Sequence, residues 1–260
     1  MAPSENRTDS DISATIETAA GAAQQILHLG GSTSMADRTF RNIISKIDFT
    51  DFDIMWRLDN LVICYSDNGQ SKTFMKSVGS VGTSLTAVSN VMELSENVKA
   101  GKIPLSDVNE KLKSITEAPP IHSHIIFILA AGLAAVFYSL FHHGKIESVI
   151  VVFIAAVIGQ TLRIQLQKKE LRDSHITFIC GLLSAGITSI FLHLGIGESD
   201  IPTLIACLIY LVPGLLMING FVDFTKQRYI FIGLQRMVNA FFLFLILAFV
   251  ILIAYTFIKI

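Results

Sequence analysis

Apolar and polar positions follow two different rules along this chain. From about residue 121 onward the apolar positions run together. Five stretches approach the roughly 20 residues that a helix needs to cross the hydrocarbon core of a bilayer: about 125–141, 146–166, 176–194, 201–221 and 229–258. Strands of a membrane barrel would alternate apolar and polar residues; these stretches do not, so they are expected as helices. Before residue 120 the pattern is that of a folded, water-facing domain. Residues 12–27 read as a helix that stops at Gly30-Gly31. Ser32 or Ser34 can cap a second helix to about Ile47, with Met35, Phe40, Ile43, Ile44 and Ile47 at helical spacing. The period then drops to two. Ile54, Trp56 and Leu58 alternate, as do Leu61, Ile63 and Tyr65, and the hairpin dipeptide Asn68-Gly69 leads toward a third strand near residues 71–76. Thr83 or Ser84 begins a helix that ends at Gly101, and Pro104, Ser106 and Asp107 open a last one to about Ile115. The expected architecture is an α-helical membrane protein, with a small soluble α+β domain over residues 1–120 followed by five transmembrane helices over residues 121–260.

Composition sharpens the division. The chain is 52% hydrophobic and 16% charged, where soluble domains carry about 25% charged residues. Most of the charge precedes Pro119-Pro120. The net charge of −1 gives no basic surface for nucleic acid. Cys64, Cys180 and Cys207 form no CxxC pair, and the latter two fall in apolar runs, where core or lipid-facing thiols are expected. The first thirty residues hold no apolar segment of the secretory kind, so the N-terminal domain is expected in the cytoplasm. Loop charge agrees. Arg163, Lys168, Lys169 and Arg172 flank the turn after the second run, and Lys226 and Arg228 follow the fourth. Lys145 alone follows the first, and no basic residue follows the third. Positive loops stay inside, which puts the C-terminus outside. Ala131 with Ala135, and Gly181 with Ala185 and Ser189, stand four apart and mark helix-packing faces.

Enzyme chemistry is not expected. The segment KSVGSVGTSL, with Gly79 and Gly82, lacks the lysine of a phosphate-binding loop and reads as a loop of small residues. His122, His124, His142 and His143 sit at run edges without a cysteine or carboxylate cluster, so no metal is expected. No nucleophile–base motif occurs, and nothing calls for a cofactor. The candidate chemistry lies in polar groups inside apolar runs, which are costly and default to functional hypotheses. Pro213 stands about twelve residues into the fourth run, roughly 18 Å at 1.5 Å per residue. It removes a backbone donor, and Gly214 beside it adds freedom. Such a break either offers backbone groups to a solute or is a packing kink. Asn219 and Asp223 follow on one helical face. Gln160, Arg163 and Gln167 form a polar stripe in the second run. Arg163 either meets a solute carboxylate or snorkels to the interface. Arg236 and Asn239 make a similar pair in the fifth run, and Asp223 and Arg236 could instead pair with each other. The candidate solute-pathway residues are therefore Pro213, Gly214, Asn219, Asp223, Arg236, Gln160, Arg163 and Asn239.

The stretch LVPGLLMINGFVDF followed by GLQRMVNAFF, after a soluble domain of this size, resembles the threonine/serine exporter family. Its members show a Leu-Val-Pro-Gly segment (here Leu211 to Gly214), a polar stretch (Asn219 and Asp223) and a Gly-x-x-Arg start to the next helix (Gly233 and Arg236). The N-terminal half is also similar, with a glycine break near Gly30-Gly31 and a second helix bearing Asp37 and Arg38. The resemblance implies a multi-pass exporter of small hydroxy amino acids in a bacterial inner membrane, driven by an ion gradient. Full-length members carry about twice as many spans. The resemblance therefore implies the large subunit of a split form that works with a small separate membrane subunit, a form also linked to C4-dicarboxylates such as succinate. An odd number of spans suits an obligate complex of this kind, with a homo-oligomer as the alternative. From the residues alone, a membrane-anchored sensor or scaffold, whose N-terminal domain binds a ligand or a protein, is the competing expectation.

Overall fold

The computed structural model describes residues 9–47, 51–67, 70–79, 82–119, 123–169, 171–197 and 200–259. The chain forms two compact units. One comprises Met1–Pro119 together with Leu215–Val238, and the other Pro120–Gly214 together with Asn239–Ile260.

The first unit begins with α1 (Asp9–His28) and α2 (Thr33–Ile44). The corner between them is a paired-glycine stop. Gly30 has φ +86°, its N–H donates to Leu27 O at 3.2 Å, and the Gly31 N–H reaches back to Ile26 O at 2.8 Å. This pair of bonds is the Schellman arrangement, which needs the left-handed residue that glycine supplies without strain. Ser32, rather than Ser34, caps α2 by accepting from Met35 N. Ser32→Ala should lower the stability of this unit by about 1 kcal/mol, read from the unfolding midpoint of the single, buried Trp56 by fluorescence. Phe40, Ile43 and Ile44 are buried as their spacing predicts, whereas Met35 is exposed.

Three antiparallel strands follow in the order β1 (Phe52–Trp56), β2 (Asn60–Asp67) and β3 (Gln70–Ser77). Ile54 pairs with Ile63, and Ile63 with Phe74. Ile54, Trp56, Leu61, Ile63 and Tyr65 face the core with the two-residue period of the sequence. Leu58 lies in the turn, because β1 ends at Trp56. Asn68-Gly69 falls outside the described residues, although Asp67 and Gln70 on either side are register partners. Ser84 caps α3 (Leu85–Lys99), Gly101 follows with φ +78°, and α4 (Val108–Thr116) closes the N-terminal part.

In the second unit α5 (His124–Phe141), α6 (Ile146–Gln167) and α7 (Asp173–His193) are each long and apolar enough to cross a membrane; so is the helix over Gln227–Phe257, whose residues the two units share. Ala135, Gly181, Ala185 and Ser189 are buried, with Gly181 against Leu211 and Val250. Ile126, Leu133 and Phe137 point outward, as lipid-facing positions do.

The structure departs from the five-helix expectation at the fourth run, which is not one helix. It comprises α8 (Ile201–Ala206), a 3-10 turn (Ile209–Leu211) and α9 (Gly214–Phe224), and among the described residues four helices of spanning length and composition remain. The reason lies around Pro213. A proline has no N–H to return to Ile209 O, and it drives the preceding residue out of the helical region. Val212 accordingly has ψ 127°. The last helix, α10 (Ile230–Lys259), gives its first turns to the first unit and the rest to the second.

Candidate functional site

In the first unit, the helix ends at the Gly30-Gly31 corner set the geometry. The C-terminus of α1 leaves carbonyls without intrahelical partners, and the N-terminus of α2 leaves unpaired N–H groups. The loop before α3 serves two of the carbonyls: Gly82 N donates to His28 O, and Ser84 N to Leu29 O. Side chains of the α9–α10 corner serve the next two. Asn219 Nδ2 donates to Gly30 O at 2.9 Å, and an Arg236 guanidinium nitrogen to Gly31 O at 3.1 Å. Arg236 also lies 3.1 Å from Asp223 Oδ2, which accepts from the hydroxyl of Thr33 at 2.6 Å. The cation therefore bonds a carbonyl of the corner between the helices, and the carboxylate meets the first residue of α2, as the dipole of α2 favours. The Asp223 side chain is 0% exposed and that of Arg236 3%. Gln235 Oε1 completes the attachment by accepting from Leu58 N at 3.1 Å. The glycines of the corner permit the close approach: a Cβ on Gly220 would stand 3.0 Å from Arg236 Cβ, and one on Gly233 2.8 Å from Phe224 Cα.

A second polar cluster occupies the other unit, where α6 and α7 meet the broken fourth run. Arg163 on α6 donates to Tyr210 O at 2.7 Å, a carbonyl of the 3-10 turn. The Tyr210 hydroxyl lies 2.9 Å from Ser184 Oγ on α7, and Ser184 donates in turn to Ala155 O. Gln160 Oε1 is buried with no hydrogen-bond partner among the described residues. A Cβ on Gly159 would fall on Tyr210 and Ser184. The cluster thus offers a guanidinium with donors to spare, two hydroxyls and an amide oxygen in need of a donor, beside a stretch from Cys207 to Pro213 that leaves the α-helix for a 3-10 turn.

A family model described as "Putative threonine/serine exporter" matches residues 17–258. The chain belongs to the threonine/serine exporter family. No curated protein and no solved structure matches it. Membership, together with the apolar helices, makes the chain a multi-pass membrane protein of a transporter family.

Within this exporter chain the eight residues singled out from the sequence separate. Asn219, Asp223 and Arg236 come together with the α1–α2 corner, and Asp223 and Arg236 do pair. Gln160 and Arg163 lie with the break that Pro213 and Gly214 close, and Asn239 is exposed on α10. Sequence reasoning missed Thr33, Ser184 and Tyr210. The nearest available signal for the last two was Gly159, a glycine inside an apolar helix one residue before the polar Gln160.

Proposed function

We propose that the chain is the large subunit of an exporter for small polar metabolites, either threonine- and serine-like amino acids or C4-dicarboxylates such as succinate. The observation that carries the reading is Arg163 bound to the carbonyl of Tyr210, in the 3-10 turn that interrupts the fourth run. A charged side chain among apolar helices is costly unless used, and broken helices are where transporters hold solutes. In this reading Arg163 takes the solute carboxylate, Gln160, Ser184 and Tyr210 take its hydroxyl or amine, and Pro213 with Gly214 keeps the segment open. Asn219, Asp223 and Arg236 hold the N-terminal domain to the α9–α10 corner, so that the domain follows events along the pathway. Asn239 marks the pathway mouth. The fourth run makes a fifth crossing as a broken element, with the N-terminus cytoplasmic, the C-terminus outside and an ion gradient as the driving force. A small membrane subunit, inserted as an inverted counterpart in a bacterial inner membrane, completes the pathway, with self-assembly of this chain as the fallback.

The test is reconstitution in liposomes with and without the co-purifying small subunit, following labelled threonine, serine and succinate. We expect flux above that of empty vesicles for at least one solute. Arg163→Gln should cut it tenfold or more, since a charge-assisted hydrogen bond contributes about 1.5–3 kcal/mol and 1.4 kcal/mol is a factor of about ten. Flux equal to that of empty vesicles for all three solutes would end the export reading for them, and unchanged flux in Arg163→Gln would remove Arg163 from the pathway.

A further inference from the structure

We propose that α9 lies along the bilayer surface on the side of the N-terminal domain rather than crossing the bilayer, with its outward face seated where headgroups meet acyl chains. This placement stands apart from the export reading. The inward face of α9 is the starting point. Leu215, Asn219 and Asp223 stand four apart and form one stripe. All three meet the α1–α2 corner. A Cβ on Gly30 would stand 3.0 Å from Leu215 Cδ2, Asn219 donates to Gly30 O, and Asp223 accepts from Thr33. The corner therefore runs beside α9 from its first turn to its last. The stripe covers eight residues of rise, about 12 Å. Were α9 upright in hydrocarbon, Leu215 would carry Gly30 to that depth. The loop whose Gly82 and Ser84 donate to His28 O and Leu29 O would follow. Irregular backbone of this kind is not tolerated facing lipid. Laid flat, α9 keeps the whole corner on the water side.

The opposite side of α9 is apolar and uncovered. Met217, Ile218, Phe221, Val222 and Phe224 are exposed, Ile218 at 64% and Phe221 at 62%. A contiguous apolar patch beside a water-facing domain marks an interaction surface. Two features select lipid as its occupant. Lys226 and Arg228 follow α9 directly, both exposed and without a carboxylate partner among the described residues, where phospholipid phosphates complement them. Within six residues of Phe224 the chain also enters α10, a helix of spanning length, so the lipid surface begins at the foot of this corner. A helix held by protein on one face and apolar on the other suits the interfacial layer, with its apolar side about 5–10 Å into the headgroup and acyl boundary. Pro213 and Gly214 then mark where the chain turns from the membrane core onto its surface, and the crossing of the fourth run falls to residues 201–213.

The experiment is power-saturation electron paramagnetic resonance of the full chain in phospholipid nanodiscs. Cys64 is the exposed native thiol, whereas Cys180 and Cys207 are buried, so Cys64→Ser clears the surface. Met217→Cys, Phe221→Cys and Phe224→Cys are then spin-labelled one at a time, and fluorescence of the single Trp56 confirms the fold. The ratio of oxygen to nickel-chelate collisions gives the depth of each label. We expect three depths that agree within about 3 Å, two residues of helical rise, and that lie just inside the phosphates. An upright helix would spread the first and last labels over about 10 Å, and that gradient would overturn the proposal. So would labels that the nickel chelate reaches as freely as in water, or labels shielded from both collision partners, the mark of a protein on this face. Where one label prevents folding, Ile218→Cys or Val222→Cys replaces it on the same face. No outcome depends on solute flux, so failure of the export reading leaves the measurement decisive.

Discussion

Arg236→Met alone should cost the first unit about 3–5 kcal/mol, whereas the double change Asp223→Leu with Arg236→Met should recover most of that loss. The asymmetry follows from burial. With the guanidinium gone, the Asp223 carboxylate keeps, among the described residues, only the Thr33 hydroxyl as donor, in surroundings that water does not reach, and Gly31 O loses the Arg236 donor. Removing both charges leaves an apolar contact between two helices that already approach closely at Gly220 and Gly233. Since whole domains are stable by about 5–15 kcal/mol, the single variant should appear mainly as lost folded protein. Denaturant unfolding followed through Trp56 fluorescence measures both variants. A double variant as unstable as the single would show that the charges are held for something other than each other.

Gly159→Ala should cut transport by an order of magnitude or more without unfolding the helices, a rise of about 1.4 kcal/mol or more in the transport barrier. The methyl group would occupy the space of the Tyr210 hydroxyl and Ser184 Oγ. The tyrosine ring is rigid, and its backbone carbonyl is held by Arg163, so the segment that carries it must shift. Gly186→Ala is the control, because a Cβ there meets nothing within 4 Å and alanine is the better helix former. Flux in liposomes, with circular dichroism of the same preparations, checks both variants. Equal flux in Gly159→Ala and the wild type would mean that the Tyr210–Ser184 contact does not shape the pathway.

Local signals made much of the N-terminal part legible. The Gly30-Gly31 stop, the caps at Ser32 and Ser84, and the two-residue period of β1 and β2 each depend on a few neighbouring residues, and the structure places them accordingly. What stayed hidden depends on distant partners. Gly30 O and Gly31 O are backbone acceptors with no residue-type signature, and the side chains that reach them lie 189 and 205 positions away. Thr33 is an ordinary first residue of a helix until Asp223 arrives from 190 positions on. The fourth run shows the same limit. Pro213 announces a break, but the departure from α-helix extends back to Cys207, where α8 has ended. Arg163, from another helix, binds the carbonyl of Tyr210 in this interrupted stretch, and the periodicity of the run itself carries no sign of that. Leu58 matched the alternation yet sits in a turn, held by Gln235 from a helix that begins far along the chain.

The length of α10 has a consequence for the lipid itself. Its 30 residues extend about 45 Å at 1.5 Å per residue, while the hydrocarbon layer is about 30 Å thick. An upright helix of this length overshoots by roughly ten residues, about the distance from Ile230 to Asn239. If the uninterrupted apolar stretch from Ala240 onward fills the hydrocarbon, Arg236 and Asn239 stand among headgroups, where an ion pair is far less costly than at mid-depth. Acyl-chain length then becomes a variable of the protein: a thicker bilayer would draw the buried Asp223–Arg236 pair toward oil, and a thinner one would leave apolar residues of the helix in contact with water.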